Sequence, residues 1–325
     1  MKLDIHTNLP LLAGLFAGGY IALSVSVSVA PATWVSAHNA PLPGSAPLTA
    51  EQQAGLRVYI SEGCAYCHTQ QVRPLPEDSL FGRPSAPGDF ARLVPLGGFV
   101  QVPEVLGTER TGPDLSAIGT RQPSDVWQYI HLYQPRALVS ASIMPAFPWL
   151  FRVVRTTDSQ HPRVPVPAAF VPDDLTVVAT PRAKALVAYL LSLKQTPIAG
   201  MANAPPAPAT GGATSDAAGA SVYAARCASC HQPAGTGVPG AFPPLTGDPV
   251  VNGPAAAHLA VVLNGLHGKS IAGVAYAGAM PPWGALLSDA EIMAVVNHER
   301  ASWGNHAPPV TAADVATARH QPAAP

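Results

Sequence analysis

The first pattern along the chain is an uncharged, mostly apolar run from Leu9 to Ala30. A helix that crosses a bilayer needs about 20 such residues, and this run reaches that length. It exceeds the roughly 7–15 apolar residues of a cleaved secretory signal, which is the alternative, and Asp4 precedes it, so we predict an uncleaved anchor. Lys2 lies before the run, and the next lysine or arginine is Arg57. The positive-inside rule therefore predicts a cytoplasmic N-terminus, with the rest of the chain across the membrane.

Three further helix starts are indicated by polar residues placed before apolar stretches. Thr49 to Gln52 form a capping box, in which the first and last side chains each bond the other residue's backbone N–H. Thr180-Pro181 is the pattern of an N-cap followed by the first helical residue. Ser288 to Glu291 form a second capping box, and Gly304 is the predicted stop of the helix that it opens.

The composition is poor in charge and rich in proline. Charged residues make up 11% of the 325 residues, and there are 37 prolines and 28 glycines. An average soluble domain has about 25% charged residues. These values fit small, loop-rich domains wrapped around a large apolar cofactor. The net charge of −1 gives no indication of a nucleic-acid partner.

A five-residue motif occurs twice, as Cys64-Ala65-Tyr66-Cys67-His68 and Cys227-Ala228-Ser229-Cys230-His231, and uses all four cysteines. C-x-x-C-H is the attachment motif of a c-type haem. A zinc site would need four ligands, and a redox pair usually lies in a βαβ unit, which the sequence does not indicate. We therefore predict two covalently bound haem c groups. The attaching residues are Cys64, Cys67, Cys227 and Cys230, and the proximal iron ligands are His68 and His231.

Each motif is followed by one Met-Pro dipeptide, at Met144 and Met280. Proline after methionine favours an extended turn that can present the thioether sulfur to the iron, so both are predicted to be the sixth ligands. The alternative for each is a methionine that fills a gap in the core. His131, in an aromatic-rich helical stretch, is the rival ligand for the first iron.

The proximal histidines need a partner for their second ring nitrogen. Pro113 and Pro243 each lie two residues before a leucine in a rigid loop, and we predict that their carbonyls accept these hydrogen bonds. Arg73, just after the first motif, is a candidate contact of a haem propionate, although a solvated arginine is the alternative.

Three runs resemble the FixO-type subunit II of cbb3-type haem-copper oxidases, a membrane-anchored mono-haem cytochrome c. They are EGCAYCHTQQVRPL, RTGPDLSAIGTRQPSDVWQYIHLYQPRALVSASIMPAFPWLF and KALVAYLLSL. The resemblance implies a single-pass protein of the bacterial inner membrane with its haem domain in the periplasm, in contact with membrane lipid, and Met144 as axial ligand. Its partners would be the haem-copper catalytic subunit and an electron donor, either a cytochrome c or a quinol-oxidising complex. Residues 82–108, residues 152–180 and the second haem motif depart from the family pattern.

The second half resembles a small class I cytochrome c, as found in terminal-oxidase and alcohol-dehydrogenase cytochrome subunits. The expected fold is mainly α, with a transmembrane helix and two small cytochrome c-like haem domains joined by a flexible linker. The predicted divisions are 1–47 anchor and stalk, 48–195 first haem domain, 196–215 Ala/Pro/Gly-rich linker, 216–306 second haem domain and 307–325 disordered tail.

The predicted function is a relay of single electrons to a cbb3-type terminal oxidase, in which the second domain moves on its linker. Two ligated, six-coordinate irons leave no open site, so no catalytic residues are expected. The alternatives are a dihaem cytochrome c peroxidase and the cytochrome subunit of a periplasmic dehydrogenase.

Overall fold

The computed structural model describes most of the chain: residues 7–31, 33–34, 40–91, 105–155, 163–172, 174–201, 215–266, 268, 270–271 and 273–320. Of the predicted linker, residues 202–214 lie outside the described residues. So do residues 1–6 before the anchor and residues 321–325 of the tail.

The predicted anchor is a helix. α1, Leu9–Ser24, continues into a π-helical segment, Val25–Val29, and the two form a run of 21 residues. Apolar side chains project from it, with Phe16 77% exposed. At 1.5 Å per residue the run is about 30 Å long, the thickness of a bilayer's hydrocarbon core.

The first domain consists of helices around a buried core, with short 3₁₀ turns between them. Its helices are α2 Ala50–Ser61, α3 Pro87–Phe90, α4 Ile118–Arg121, α5 Asp125–Tyr133 and α6 Pro181–Ser192. Its 3₁₀ turns are Cys64–Tyr66, Pro76–Phe81, Pro135–Ala137, Pro148–Leu150 and Ala168–Phe170.

α2 and α6 cross at close range, as the sequence predicts for a haem-bearing helix and a C-terminal helix. Both starts are confirmed: Thr49 and Gln52 form the capping box, and the Thr180 side chain caps α6. Gly55 lies at the crossing, where a Cβ atom would be 1.9 Å from the Ala185 carbonyl oxygen. Only a glycine lets the two backbones approach this closely.

Replacing Gly55 with alanine should therefore destabilise the first domain, although alanine is the better helix former. The new methyl group meets backbone that cannot rotate away, and overpacking of this kind costs about 1–3 kcal/mol or more. Urea unfolding of the full chain measures the change, with Arg57→Ala, on the exposed side of the same helix, as the control. An unfolding free energy equal to that of the wild type would contradict the close crossing.

The stretch 152–180, which departs from the family pattern, contains a small sheet that the sequence did not predict. β1 Phe151–Arg155, β2 Arg163–Val164 and β3 Leu175–Ala179 pair antiparallel in the order β1-β3-β2. The register places Phe151 opposite Ala179. The pairing brings the chain back to the start of α6.

The second domain repeats the helix crossing of the first. Its helices are α7 Ser215–Arg226, α8 Ala228–His231, α9 Pro249–Asn252, α10 Ala255–Asn264, α11 Asp289–Ala301 and α12 Ala312–His320, and β4 Ser270–Ile271 pairs with β5 Val274–Ala275. A 3₁₀ turn spans Trp283–Ala285. Here Gly219 of α7 approaches the Ala294 carbonyl of α11. The capping box of Ser288 and Glu291 is confirmed, but α11 ends at Ala301 because Ser302 is already extended, so the predicted stop at Gly304 is three residues too late.

The prediction of a disordered tail is wrong for residues 312–320, which form α12. Its first turn is closed by hydrogen bonds between Thr311 and Asp314. Val315 and Ala318 are buried in the second core, and Arg319 donates to the Leu287 carbonyl at 2.7 Å. Few apolar residues make this contact, so the sequence carries only a weak helical period here.

The two haem domains pack against each other. Val238, Ala241 and Phe242 of the second domain belong to the same buried apolar cluster as the first domain's core. The sequence predicts a second domain that moves on a linker; in the structure it is docked.

Candidate haem sites

The first C-x-x-C-H motif follows α2 as a tight turn. Gly63 takes a left-handed conformation (φ 74°), and the Cys64 carbonyl then accepts from the backbone N–H groups of Cys67 at 3.2 Å and His68 at 3.0 Å. The Cys67 carbonyl accepts from Gly112 at 2.8 Å. These bonds bring both cysteines and the histidine onto one turn.

The Pro113 carbonyl oxygen lies 2.8 Å from Nδ1 of His68, where the sequence predicts it. The backbone of Gly112 packs closely against the imidazole ring of His68, since a Cβ atom on Gly112 would be 2.3 Å from Cε1 of that ring. Burial lowers the pKa of His68. The ring is therefore neutral near pH 7, with Nε2 free to ligate iron when Nδ1 carries the proton.

Asp114 fixes the loop that carries Pro113, a role that sequence reasoning missed. Its fully buried carboxylate accepts from the Thr69 hydroxyl at 2.6 Å, from Gln71 N–H at 2.8 Å and from Ser116 N–H at 2.8 Å. It thus links the segment that follows the first motif to the loop that contains Pro113. The signal in the sequence is one aspartate after a Gly-Pro turn, which is common on protein surfaces.

Met144 lies at the edge of the first core, partly buried against the same apolar cluster as Cys64 and Ala65. Its backbone N–H is 3.3 Å from the Ser142 hydroxyl. Its role as axial ligand stays a prediction.

The second motif forms a helical turn at the end of α7. The Cys227 carbonyl accepts from Cys230 N–H at 3.1 Å and from His231 N–H at 2.9 Å. The Pro243 carbonyl oxygen is 2.9 Å from Nδ1 of His231, which matches the arrangement at the first site. Burial lowers the pKa of His231 as well.

Met280 shares one cleft with the second motif. The cleft and its solvent-open mouth together span about 1050 Å³, and Cys227, Cys230, His231 and Met280 all line it. Two backbone hydrogen bonds with Leu266, at 2.9 and 3.1 Å, hold Met280 in place. A largely apolar cleft of this size, with four such residues converging, is typical of a cofactor site.

The residues present fit haem c. All four cysteines are free thiols, and burial raises the pKa of Cys64 and of Cys230 to about 12. These thiols are therefore protonated near pH 7, and because none is in a disulfide all four can form thioether bonds. Each site also has a neutral histidine and an oriented proline carbonyl.

Two arginines add positive charge near these sites. Arg121 lies over the Phe81 ring, 5.3 Å from its centroid, and its Nε has no hydrogen-bond partner among the described residues. Burial and the neighbouring Arg226, which lines the second cleft, lower the pKa of Arg121 to about 10. A buried guanidinium with a spare donor suits an acidic group such as a haem propionate. Sequence reasoning missed Arg121, because a buried arginine is not distinguishable by its spacing alone.

Arg73 has a different partner in the structure. Its guanidinium forms two hydrogen bonds to Asp78, both 3.0 Å long, and Arg110 lies 2.8 Å from the same buried carboxylate. The hydrogen bond with Arg73 lowers the pKa of Asp78. The contact between Arg73 and a propionate stays a prediction.

His131 stacks on Trp127 of the same helix, α5, with ring centroids 4.4 Å apart and planes 14° apart. Its Nδ1 is buried without a hydrogen-bond partner among the described residues. Burial, and then the charge of His68, lower the pKa of His131 to about 4.

This shift predicts a pH dependence of stability. An unfolded histidine has a pKa near 6.5, so between about pH 6.5 and pH 4 the unfolded chain binds a proton that the folded chain does not. The free energy of unfolding should fall by about 3 kcal/mol from His131 alone as the pH drops through that window. His131→Phe, which keeps the stack, should flatten the slope in urea titrations. Equal slopes for the two proteins would contradict a buried neutral His131.

The comparisons with known proteins agree with this geometry. The family model described as "Cytochrome C oxidase, mono-heme subunit/FixO" matches residues 10–172, and that described as "Cytochrome C oxidase, cbb3-type, subunit III" matches residues 214–298. A cytochrome c-552 of Thermus thermophilus is 43% identical over 98 residues, which are 29% of this chain and 65% of that protein.

The cytochrome c subunit of the quinone alcohol dehydrogenase of Gluconobacter oxydans is 44% identical over 101 residues, which are 30% of this chain and 21% of that subunit. The chain thus spans just under two thirds of that Thermus cytochrome and about a fifth of the dehydrogenase subunit. The FixO match covers the anchor, the first haem turn and Met144. The chain therefore belongs to the FixO family of mono-haem cytochrome c oxidase subunits and carries a further cytochrome c domain at residues 214–298, which makes it a haem electron-transfer cytochrome.

Proposed function

We propose that this protein holds two haem c groups and relays single electrons to the catalytic subunit of a cbb3-type haem-copper terminal oxidase. The observation that carries the proposal is the repeated geometry of the two motifs. In each, a histidine on a C-x-x-C-H turn has its Nδ1 held by a proline carbonyl, at 2.8 Å and 2.9 Å. The first of the two lies within the FixO match.

The chain's own residues set the chemistry of each site. Cys64 and Cys67 would attach the first haem and Cys227 and Cys230 the second, through thioether bonds. His68 and Met144 would be the iron ligands of one site, and His231 and Met280 those of the other. Bound in this way, haem c supplies a one-electron couple whose potential the thioether ligand raises. Two iron ligands from the chain at each site would leave no place there for a substrate.

The apolar helix Leu9–Val29 supports a place beside the catalytic subunit in the bacterial inner membrane. Lys2 before the helix supports a cytoplasmic N-terminus, with both haem domains in the periplasm. The membrane lipid would then contact this helix. The electron donor, a cytochrome c or a quinol-oxidising complex, would reduce the second domain, since the first carries the FixO match.

Purification of the full chain from membranes tests this function. Co-purification with a haem-copper catalytic subunit, and oxygen reduction by the complex when the chain is reduced, is the expected result. The similarity to the cytochrome c subunit of a quinone alcohol dehydrogenase favours a second candidate function, the cytochrome subunit of a dehydrogenase. Co-purification with a quinone-linked dehydrogenase instead, or turnover of peroxide by the isolated chain, would overturn the oxidase assignment.

A further inference from the structure

The second haem turn is held against the first domain by hydrogen bonds. The indole Nε1–H of Trp127 donates to the carbonyl of Ser229, which lies between the two cysteines of the second motif, at 3.1 Å. The side-chain amide of Gln122 donates to the Ser229 hydroxyl. One residue after the motif, the Gln232 side chain donates to the Leu138 carbonyl at 3.3 Å. We call these five residues, together with Phe242, the docking face.

Apolar contacts extend the docking face. Phe242, immediately before the proline that holds His231, is 3% exposed and part of the first domain's core cluster, and Cys230 packs against that cluster. The cleft of the second site is lined in part by residues of the first domain, Gln122, Pro123 and Ser124. The second site is therefore completed by the first domain.

A short run of packed groups leads from the docking face into the first domain. Trp127 is 7% exposed. Its indole N–H donates to the second motif, and its ring stacks on that of His131 with the ring centroids 4.4 Å apart. His131 and Trp127 both belong to α5 of the first domain. A hydrogen bond and a stacked ring pair thus connect the second motif to the interior of the first domain.

We propose that the two haem sites exchange electrons across this fixed docking face, with Trp127 as the positioning residue that holds the second attachment turn against α5. One electron crosses, so the second site is oxidised by one electron and the first is reduced by one. No bond is made or broken and no proton is needed. This proposal rests on the two-haem relay proposed above, and it replaces travel of the second domain along its linker with transfer in place.

Two measurements on the full chain with its haems bound test the proposal. In hydrogen–deuterium exchange, Trp127→Leu should raise the opening of the segment 227–242 about fivefold, the effect of losing one hydrogen bond. Trp149→Leu, which removes a 61%-exposed tryptophan outside the docking face, is the control and should leave this exchange unchanged. Ser229→Ala and Gln122→Ala, milder changes at the same face, serve if Trp127→Leu does not fold.

The rate of electron transfer between the haems, measured after flash reduction of one of them, is the second readout. It should stay constant when sucrose raises the viscosity and when Gly-Ser residues lengthen the segment 202–214, and it should fall in Trp127→Leu. A rate that drops in proportion to viscosity, or one that Trp127→Leu leaves unchanged, would overturn transfer at the docking face. Neither readout needs an oxidase, so failure of the oxidase assignment is seen separately, in co-purification and oxygen reduction.

Discussion

A chain in which Cys227 and Cys230 are both replaced by serine should carry one haem, whereas we expect two in the unaltered chain. Serine hydroxyls do not form the thioether bonds, so nothing covalent retains the group in the second cleft. The first motif has its own turn, with His68 and Pro113, and should keep its haem. Mass spectrometry of the intact chain and the ratio of haem to protein measure the loss directly.

The same double substitution should also weaken the second domain and the docking face. Its cleft of about 1050 Å³ would lose the apolar group that fills it, and the buried residues around it would face water. Exchange protection of the segment 227–242 should therefore decrease. The reciprocal variant, Cys64→Ser with Cys67→Ser, should lose the other haem. For the haem count, Ser229→Ala, within the second motif but not a thiol, is the matched control. Two haems in either double variant would refute the attachment sites.

Replacing Met144 with alanine should shift the equilibrium between the two sites so that the electron stays on the second site. If Met144 ligates the first iron, as we propose, loss of its thioether removes the ligand that raises the potential. We expect a fall on the order of 0.2 V, within the range of about 0.8 V over which axial ligands set haem potentials. About 59 mV is a tenfold change for one electron, so the equilibrium between the two sites should shift by about three orders of magnitude. Oxygen reduction through the complex should fall accordingly.

Met280→Ala should lower the potential of the second site by a similar amount and make it a stronger donor to the first. It should leave transfer between the sites favourable while slowing reduction by the external donor. Met201→Ala, at an exposed position outside both sites, should change neither potential. Redox titrations of the three variants, with the far-red absorption of a methionine-ligated haem, measure these effects. If Met144→Ala leaves both potentials unchanged, then Met144 is not an axial ligand and His131 becomes the candidate.

Helix starts that depend only on residues close together in the sequence were predicted correctly. The capping boxes at Thr49 and Ser288 start helices where predicted, because a side chain that bonds a backbone N–H three residues away needs no tertiary partner. The same reasoning gave a wrong prediction for the C-terminal tail. α12 gains its burial from α10 and α11, so its few apolar residues look insufficient until those helices are in place.

The chemistry proposed for each site follows from the sequence alone. The spacing within C-x-x-C-H fixes two thiols and an imidazole on one turn, and the Gly-Pro and Phe-Pro loops supply a carbonyl of the right kind, now seen at 2.8 and 2.9 Å. The tertiary structure decided how the two sites are related. Trp127 and Ser229 are 102 positions apart, and no local pattern specifies that their domains meet. Composition indicated a flexible connection, whereas burial of Phe242 and Cys230 against the first core holds the second haem turn in place.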